Sequence, residues 1–268
     1  MKPSTYGGKS ISSLVKSGNV VIKKFGDDSL PTAYAEKLAR EILHYDSELA
    51  RLGMRTPKLI NVSITDRPSG KSIVLVRRRA GTDYGDLLKK ASTPVTVKNR
   101  VRKLLEAIKP LLMQKVVTDS MLRDYKTLHL LPLPIDARPQ NFVQPSGGGA
   151  LYVDVTPPLV RNKTSLEFWE PSAIRISDFL FRRLDSRGVV QNLLSHTVTA
   201  AIPAYRRVVE KEFLAFLKEN DFLAEHDHVK KYVGTKEYRD FLKRGEPKLR
   251  ARRWSTRSIN LIHPAKRS

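Results

Sequence analysis

The sequence predicts an α+β fold in two parts: a small antiparallel sheet carrying one helix as far as about residue 76, and a mostly helical remainder. Three observations predict it. Short β-branched runs bounded by turn residues occur before residue 26 and again between residues 59 and 77. One stretch of helical periodicity separates them. Beyond Gly81 the apolar spacing becomes predominantly helical.

Taken in order, Ser10 to Val15 reads as a strand, Ser17-Gly18-Asn19 as a turn and Val20-Val21-Ile22 as a β-branched run, giving a hairpin that feeds a third strand. Pro31 opens a helix from about Thr32 to Leu52, with Tyr34, Leu38, Ile42, Tyr45 and Leu49 at helical spacing, and Gly53 stops it. Leu59 to Ile64 and Ser72 to Arg77 are two further strands around an Arg67-Pro68-Ser69-Gly70 turn. Residues 77–81 then connect the two parts as a hinge.

Tyr84 to Ala91 reads as a short helix and Pro94 to Gln114 as an amphipathic one, its stripe formed by Val101, Leu104, Leu105, Ile108 and Leu112. A Pro-rich stretch, Leu131 to Pro134, precedes a β-like segment at Asn141 to Gln144, a Gly turn at 146–149 and a strand at Ala150 to Val155. From Ser177 the chain reads as helix: 177–184, 189–199, 203–219 and 235–244. The helical region so defined covers 82–250, and residues 251–268, which lack periodicity, read as a basic tail.

Composition narrows the function. The chain of 268 residues is long enough to bury a substantial core. It has no Cys, which excludes disulfides, thiol nucleophiles and Cys-ligated zinc. No run approaches the ~18 apolar residues of a membrane span, and Met1 to Lys9 lacks an apolar signal region, so a cytoplasmic location is expected. The formal charge of +22 favours anionic partners. It is concentrated at Lys230 to Ser268, net +10, and at Arg77 to Pro110, net +7.

The chemistry is concentrated in Asp136-Ala-Arg-Pro-Gln-Asn141 and Leu151-Tyr-Val-Asp154. Phosphoryl transfer to a hydroxyl needs a carboxylate near the acceptor proton and oxygen ligands for Mg²⁺ at the nucleotide phosphates. A loop offering Asp and Asn, followed by a hairpin that returns an Asp, brings such groups to one place. The segment resembles the catalytic loop of the protein-kinase-like superfamily, in which Asp-x-x-x-x-Asn precedes a strand ending in a metal-binding Asp; Pro139 also matches. It is most similar in pattern to the aminoglycoside-phosphotransferase branch, through Val20-Val-Ile-Lys23, Arg40-Glu41 and Thr56-Pro57, with order and spacing kept over roughly residues 6 to 160.

The resemblance implies a two-lobed fold: a nucleotide-binding N-lobe over 1–76, a hinge whose backbone meets the purine edge, and a helical C-lobe with catalytic loop 134–141 and metal-binding strand 150–155. It implies ATP as co-substrate and Mg²⁺ as the metal. Lys23 would contact the α/β-phosphates with Glu41 as its ion-pair partner. Lys24, the next residue on the strand, faces the other way. Asp136 would be the catalytic carboxylate, Asn141 and Asp154 the Mg²⁺ ligands, and Arg138 a cation near the transferring phosphate. Gly7 and Gly8 offer the phosphate-covering loop. Gly8-Lys9-Ser10 is not a P-loop, because Pro3 stands where the first Gly is required.

The chain departs from the pattern at Pro134-Ile135-Asp136, where a His or Gly usually precedes the Asp, and at Asp154-Val155-Thr156 followed by Pro157-Pro158. The second departure argues against a mobile activation segment. The acceptor expected is a small or medium polar molecule, and the basic surface favours an anionic one. One alternative is an RNA or acidic-surface binder reusing the fold, with Trp254 in the Arg-rich C-terminal stretch as a stacking residue. Another is a protein kinase. His226-Asp-His228 reads as a solvated helix end.

Overall fold

Alternation and β-branching set the first sheet. β1 (Ser12–Ser17) turns through Gly18-Asn19 into β2 (Val20–Leu30), and the two pair antiparallel with Ser17 opposite Val20. The computed structural model describes residues 12–30, 32–68, 70–119, 126–154, 159–161, 165–171, 176–244 and 254–260. Helix α1 (Thr32–Arg51) follows, then β3 (Leu59–Arg67) and β4 (Gly70–Arg78). The four strands form one antiparallel sheet in the order β1-β2-β4-β3. Among the described residues this region reads ββαββ, one strand fewer before the helix than the hairpin and third strand expected; residues 1–11 lie outside them.

Period-two geometry decides which face of the sheet is covered. Ile73 and Leu75 of β4 are buried, and α1 packs on β3 and β4 with Ala35, Leu38, Ile42, Tyr45 and Leu49 buried at helical spacing. Lys23 stands directly opposite Leu75 and therefore shares the face that α1 covers. It is half-buried, whereas Lys24 is exposed.

After β5 (Thr82–Asp83), helix α2 (Tyr84–Lys89) is capped by the Asp83 carboxylate, which accepts from the Asp86 N–H at 2.9 Å. In α3 (Pro94–Met113) Thr93 caps and Pro94 takes the first position. Two strands not expected from sequence, β6 (Val116–Asp119) and β7 (Thr127–Leu130), form a hairpin. The segment expected to begin a strand at Asn141 instead makes a 3-10 turn over Pro139–Asn141, and β8 (Phe142–Gln144) starts one residue later. Strand β9 is confined to Leu151–Tyr152, and β5-β8-β9 form a small antiparallel sheet.

The rest is helical with one exception. β10 (Leu159–Arg161) and β11 (Ser165–Pro171) precede α4 (Ile176–Leu184) and α5 (Ser186–Ala200). A 3-10 turn at Pro203–Tyr205 occupies the expected start of the next helix, so α6 is Arg206–Glu219. α7 (Leu223–Val233) was not expected and places His226 and His228 within a helix; α8 is Lys236–Arg244. The expected tail is corrected in part: β12 (Trp254–Asn260) pairs along β11 as the edge of a three-stranded sheet. Backbone pairing across sequence is invisible to local periodicity, so nothing near residue 254 signals its partner.

α5 is the central helix, buried along most of its length and packed by α2, α4, α6, α7 and α8. One contiguous cluster of buried apolar residues runs from Ile73 and Leu75 of the sheet, through α1 and α3, to Leu193 and Phe213. The fold is therefore α+β with small antiparallel sheets, as expected. Among the described residues no helix is long and apolar enough to cross a membrane.

Arg77 was expected in the hinge. It lies within β4, which runs through Arg78, and its side chain is only 5% exposed. Its guanidinium donates to Asp46 Oδ1 of α1 and to the Pro57 carbonyl, both at 2.6 Å. Thr56 Oγ1 adds a contact to the same Asp46 oxygen at 3.2 Å. Removing the carboxylate leaves a buried cation with one partner fewer. We expect Asp46→Ala to lower unfolding stability by about 3 kcal/mol, measured by urea denaturation. Asp46→Ala/Arg77→Met should recover much of that loss. Equal losses in the single and double variants would show that the pair does not hold α1 on the sheet.

Candidate functional site

The segment Leu131 to Arg138 has no regular secondary structure and runs beneath α1 and α4. Its backbone groups are satisfied from several directions. The Leu131 and Ile135 N–H groups donate to the carbonyls of Leu184 and Arg183, each at 2.9 Å, at the C-terminal end of α4. Tyr45 of α1 donates its hydroxyl to the Pro134 carbonyl at 2.6 Å. Asn192 of α5 donates to the Ala137 carbonyl at 3.1 Å. The Asp136 N–H donates to the Tyr152 hydroxyl at 3.1 Å. Ile135 and Ala137 are fully buried on either side of Asp136.

The turn that follows fixes Asn141. Its backbone N–H donates to the Arg138 carbonyl at 2.9 Å, its Nδ2 donates to the Asp136 carbonyl at 2.9 Å, and its carbonyl accepts from the Val153 N–H at 2.8 Å. Phe142 pairs opposite Tyr152 and Val143 opposite Leu151, so the hairpin brings Asp154 back beside the turn. Asp154 Oδ1 lies 3.0 Å from Lys23 Nζ, an ion pair spanning 131 residues of sequence. Both side chains are 22% exposed, so the pair sits at the edge of the interior and is open to solvent.

The structure therefore brings Lys23, Asp136, Asn141 and Asp154 into one neighbourhood. A shared electrostatic effect supports this: burial raises the Tyr45 and Tyr152 hydroxyl pKa values, and Asp154 and Asp136 push both further up. Arg138 belongs to the same group, with Nε 3.1 Å from Asp136 Oδ1. Glu41 is half-buried on α1. The ion pair Lys23 makes with Asp154 is not the one expected with Glu41. Gly7 and Gly8 lie outside the described residues, as do residues 155–158 after Asp154.

Sequence reasoning missed Arg183. Its guanidinium makes a hydrogen-bonded ion pair with Asp136 Oδ1, from the last turn of α4. No spacing rule relates residues 136 and 183. Burial pushes the Asp136 carboxyl up, but Arg138 and Arg183 outweigh it and hold the group below the ordinary carboxylate value. His196 on α5 faces the same charges. Burial, with Arg138 adding to it, pushes its imidazole down to about 3, so it is neutral at physiological pH. His228, expected at a solvated helix end, is half-buried, with Nε2 2.6 Å from Gln191 Oε1 and its ring edge-on to Phe181.

No cluster of three or more His, Cys, Asp or Glu side chains that could hold an ion exists among the described residues. Asp154 and Asn141 provide oxygen donors of the hard type that Mg²⁺ takes, and Mg²⁺ commonly rests on one or two carboxylates plus substrate phosphates. The Lys23 ammonium at Asp154 shows that this carboxylate accommodates a cation.

No protein-family model matches this chain, and a search of curated proteins finds no match to it.

The two guanidiniums make a testable claim about Asp136. Arg183→Ala should move the Asp136 carboxyl pKa upward, followed by carboxyl NMR during a pH titration. The sign for stability follows. A carboxyl held low in the folded state contributes stability above its unfolded pKa and loses it as pH falls through the folded value. Asp136→Asn should therefore flatten the acid limb of the stability profile. An unmoved pKa in Arg183→Ala would show that Arg183 does not set the ionisation of Asp136.

Proposed function

We propose that the chain is a phosphotransferase that moves the γ-phosphate of ATP to a hydroxyl of a small or medium polar, anionic acceptor. The observation that carries the reading is the Lys23–Asp154 ion pair. It sets a sheet lysine against the carboxylate that follows the Asp136-to-Asn141 loop. Such a cation would meet nucleotide phosphates, and such a carboxylate would hold a divalent ion that offsets their charge.

Each residue then has a task. Lys23 would leave Asp154 for the α/β-phosphates, with Glu41 of α1 as the acid that takes over its charge. Asp154 and Asn141 would hold Mg²⁺, whose charge offsets that of the phosphates. Asp136, ionised at neutral pH, would accept a hydrogen bond from the acceptor hydroxyl and orient its oxygen toward the γ-phosphorus. A carboxylate held at low pKa is a weak base, so it would receive the proton late, as the new P–O bond forms and the bond to the β-phosphate oxygen breaks. ADP and the phosphorylated acceptor are the products. Arg138 would stabilise charge on the transferring phosphoryl oxygens.

The anionic acceptor is supported by the same geometry. Two guanidiniums, from Arg138 and Arg183, flank Asp136. They balance that carboxylate's charge, so a polycation would gain little from it, whereas a phosphate or carboxylate on the acceptor would find guanidinium forks beside it.

We expect Asp136→Asn to leave Mg²⁺-dependent nucleotide binding intact while transfer from labelled ATP to phosphorylated and carboxylated metabolites falls about 10³-fold. Transfer at the original rate would exclude Asp136 as the catalytic carboxylate. Asp154→Ala should abolish the Mg²⁺ dependence of nucleotide binding, read with a fluorescent nucleotide analogue. Lys23→Ala should weaken nucleotide affinity or turnover far more than Lys24→Ala. Equal effects from the two lysines would remove the assignment of the phosphate contact.

A further inference from the structure

A second charged feature lies apart from this site. The α1–β3 loop, the crossover after β4 and the turn between β8 and β9 enclose a cavity of about 460 Å³. Four cations line it: Arg55 and Lys58 from the loop, Arg78 and Arg79 from the end of β4 and the crossover. No acidic residue lines it, and none of Lys23, Asp136, Asn141 and Asp154 does. All four cationic residues are exposed. Among the described residues none of the four has a carboxylate partner, in contrast to neighbouring Arg77, which is neutralised by Asp46.

The cavity is built rather than accidental. Its walls are tied by backbone hydrogen bonds, Arg78 N–H to the Lys58 carbonyl at 3.0 Å and Tyr152 N–H to the Arg55 carbonyl at 2.8 Å, and the crossover is anchored to the β1–β2 turn by Arg79 N–H to the Asn19 carbonyl at 2.7 Å. Two glycines let the walls meet. Gly81 has φ +81°, and a Cβ there would lie 1.8 Å from the Gln144 carbonyl oxygen. Gly149 has φ +77°, and a Cβ there would lie 2.9 Å from Arg55 Nη1, so the guanidinium rests against the glycine turn. The scaffold therefore holds the bases of four like charges in fixed positions around one concavity. Their mutual repulsion is unrelieved by any acid of the cavity wall, and it falls when an anion enters.

We propose that this cavity binds a compact polyanion carrying two or more phosphate groups. The volume lies in the range of small-molecule sites. Three guanidiniums present planar forks that match phosphate oxygens, and one ammonium supplies a point charge. A single concavity with its cations on two facing walls suits a compact ligand better than an extended strand, which a linear basic groove would track. The inference does not depend on the phosphotransfer reading: residues 78–81 belong to the segment read as the hinge, but none of Lys23, Asp136, Asn141 and Asp154 lines the cavity.

The test is calorimetric titration of the full chain with inorganic pyrophosphate and with tripolyphosphate, without nucleotide. Wild type should bind, with affinity falling as salt is raised. Arg55→Ala and Arg79→Ala should each weaken binding about tenfold or more, the loss expected for one charge-assisted contact. Lys24→Ala, which removes an exposed charge outside the cavity, should bind as wild type does, which separates this cavity from a general effect of charge. The altered side chains are exposed, and Lys58→Ala gives an independent variant should either Arg change affect folding in thermal melts. Absence of binding by wild type would overturn the proposal. So would wild-type affinity in the Arg55, Lys58 and Arg79 variants, or loss of binding in Lys23→Ala alone. A single-stranded RNA oligonucleotide that binds through these residues and is not displaced by pyrophosphate would overturn it too, showing a nucleic-acid backbone as the occupant.

Discussion

An irregular chain segment inside a protein has no ladder to satisfy its own N–H and C=O groups, and leaving them unpaired would cost on the order of 1–3 kcal/mol each. Residues 131–138 are such a segment, and the arrangement around Asp136 depends on how that need is met. The partners come from α1 through Tyr45, from β9 through the Tyr152 hydroxyl, from α5 through Asn192, and from the terminal carbonyls of α4. Four elements distant in sequence are held to one loop, and the loop in turn holds Asn141 through the Asp136 carbonyl. The sheet and the helical part share one apolar core for the same reason: the helix that covers the sheet also supplies the hydroxyl that holds the loop.

Charge is arranged as tightly as the hydrogen bonds. Two guanidiniums meet one carboxylate at Asp136, and the neighbouring His196 is neutral because burial and these cations disfavour its protonation. Asp154 is balanced by Lys23, and Asp46 by Arg77. The deeper Arg77 pair is structural, holding α1 against β4, whereas the Lys23 pair is partly exposed. The cations on the other side of the crossover have no such balance, which marks them off from both.

Much of the site was legible because it is local. Asp136, Asn141 and Asp154 are separated by one turn and one hairpin, so their meeting is a matter of short-range geometry. Lys23 was legible through its strand, whose alternation puts it on the covered face and Lys24 on the open one. Arg183, Tyr45, Tyr152 and Asn192 were not. Each reaches the loop from another element, and an Arg at the end of an amphipathic helix looks the same in sequence whether it meets solvent or a buried carboxylate. The β6–β7 hairpin and the β10–β11–β12 sheet were missed because their strands are short or paired across a long interval.

By itself the sequence determined the class of fold, strands on either side of one helix followed by a helical remainder, and the spacing that sets an Asp, an Asn and a second Asp around one hairpin. Periodicity and turn chemistry act within a few residues, and that is the range over which they decide. Only the tertiary structure decided which charges neutralise one another. Arg77 and Arg79 stand two residues apart in one basic run, yet the first is buried against Asp46 and the second lines an acid-free cavity. The difference is set by which chain passes over each side chain, because a charge removed from water must find its partner in the packed fold rather than in its own neighbourhood of sequence.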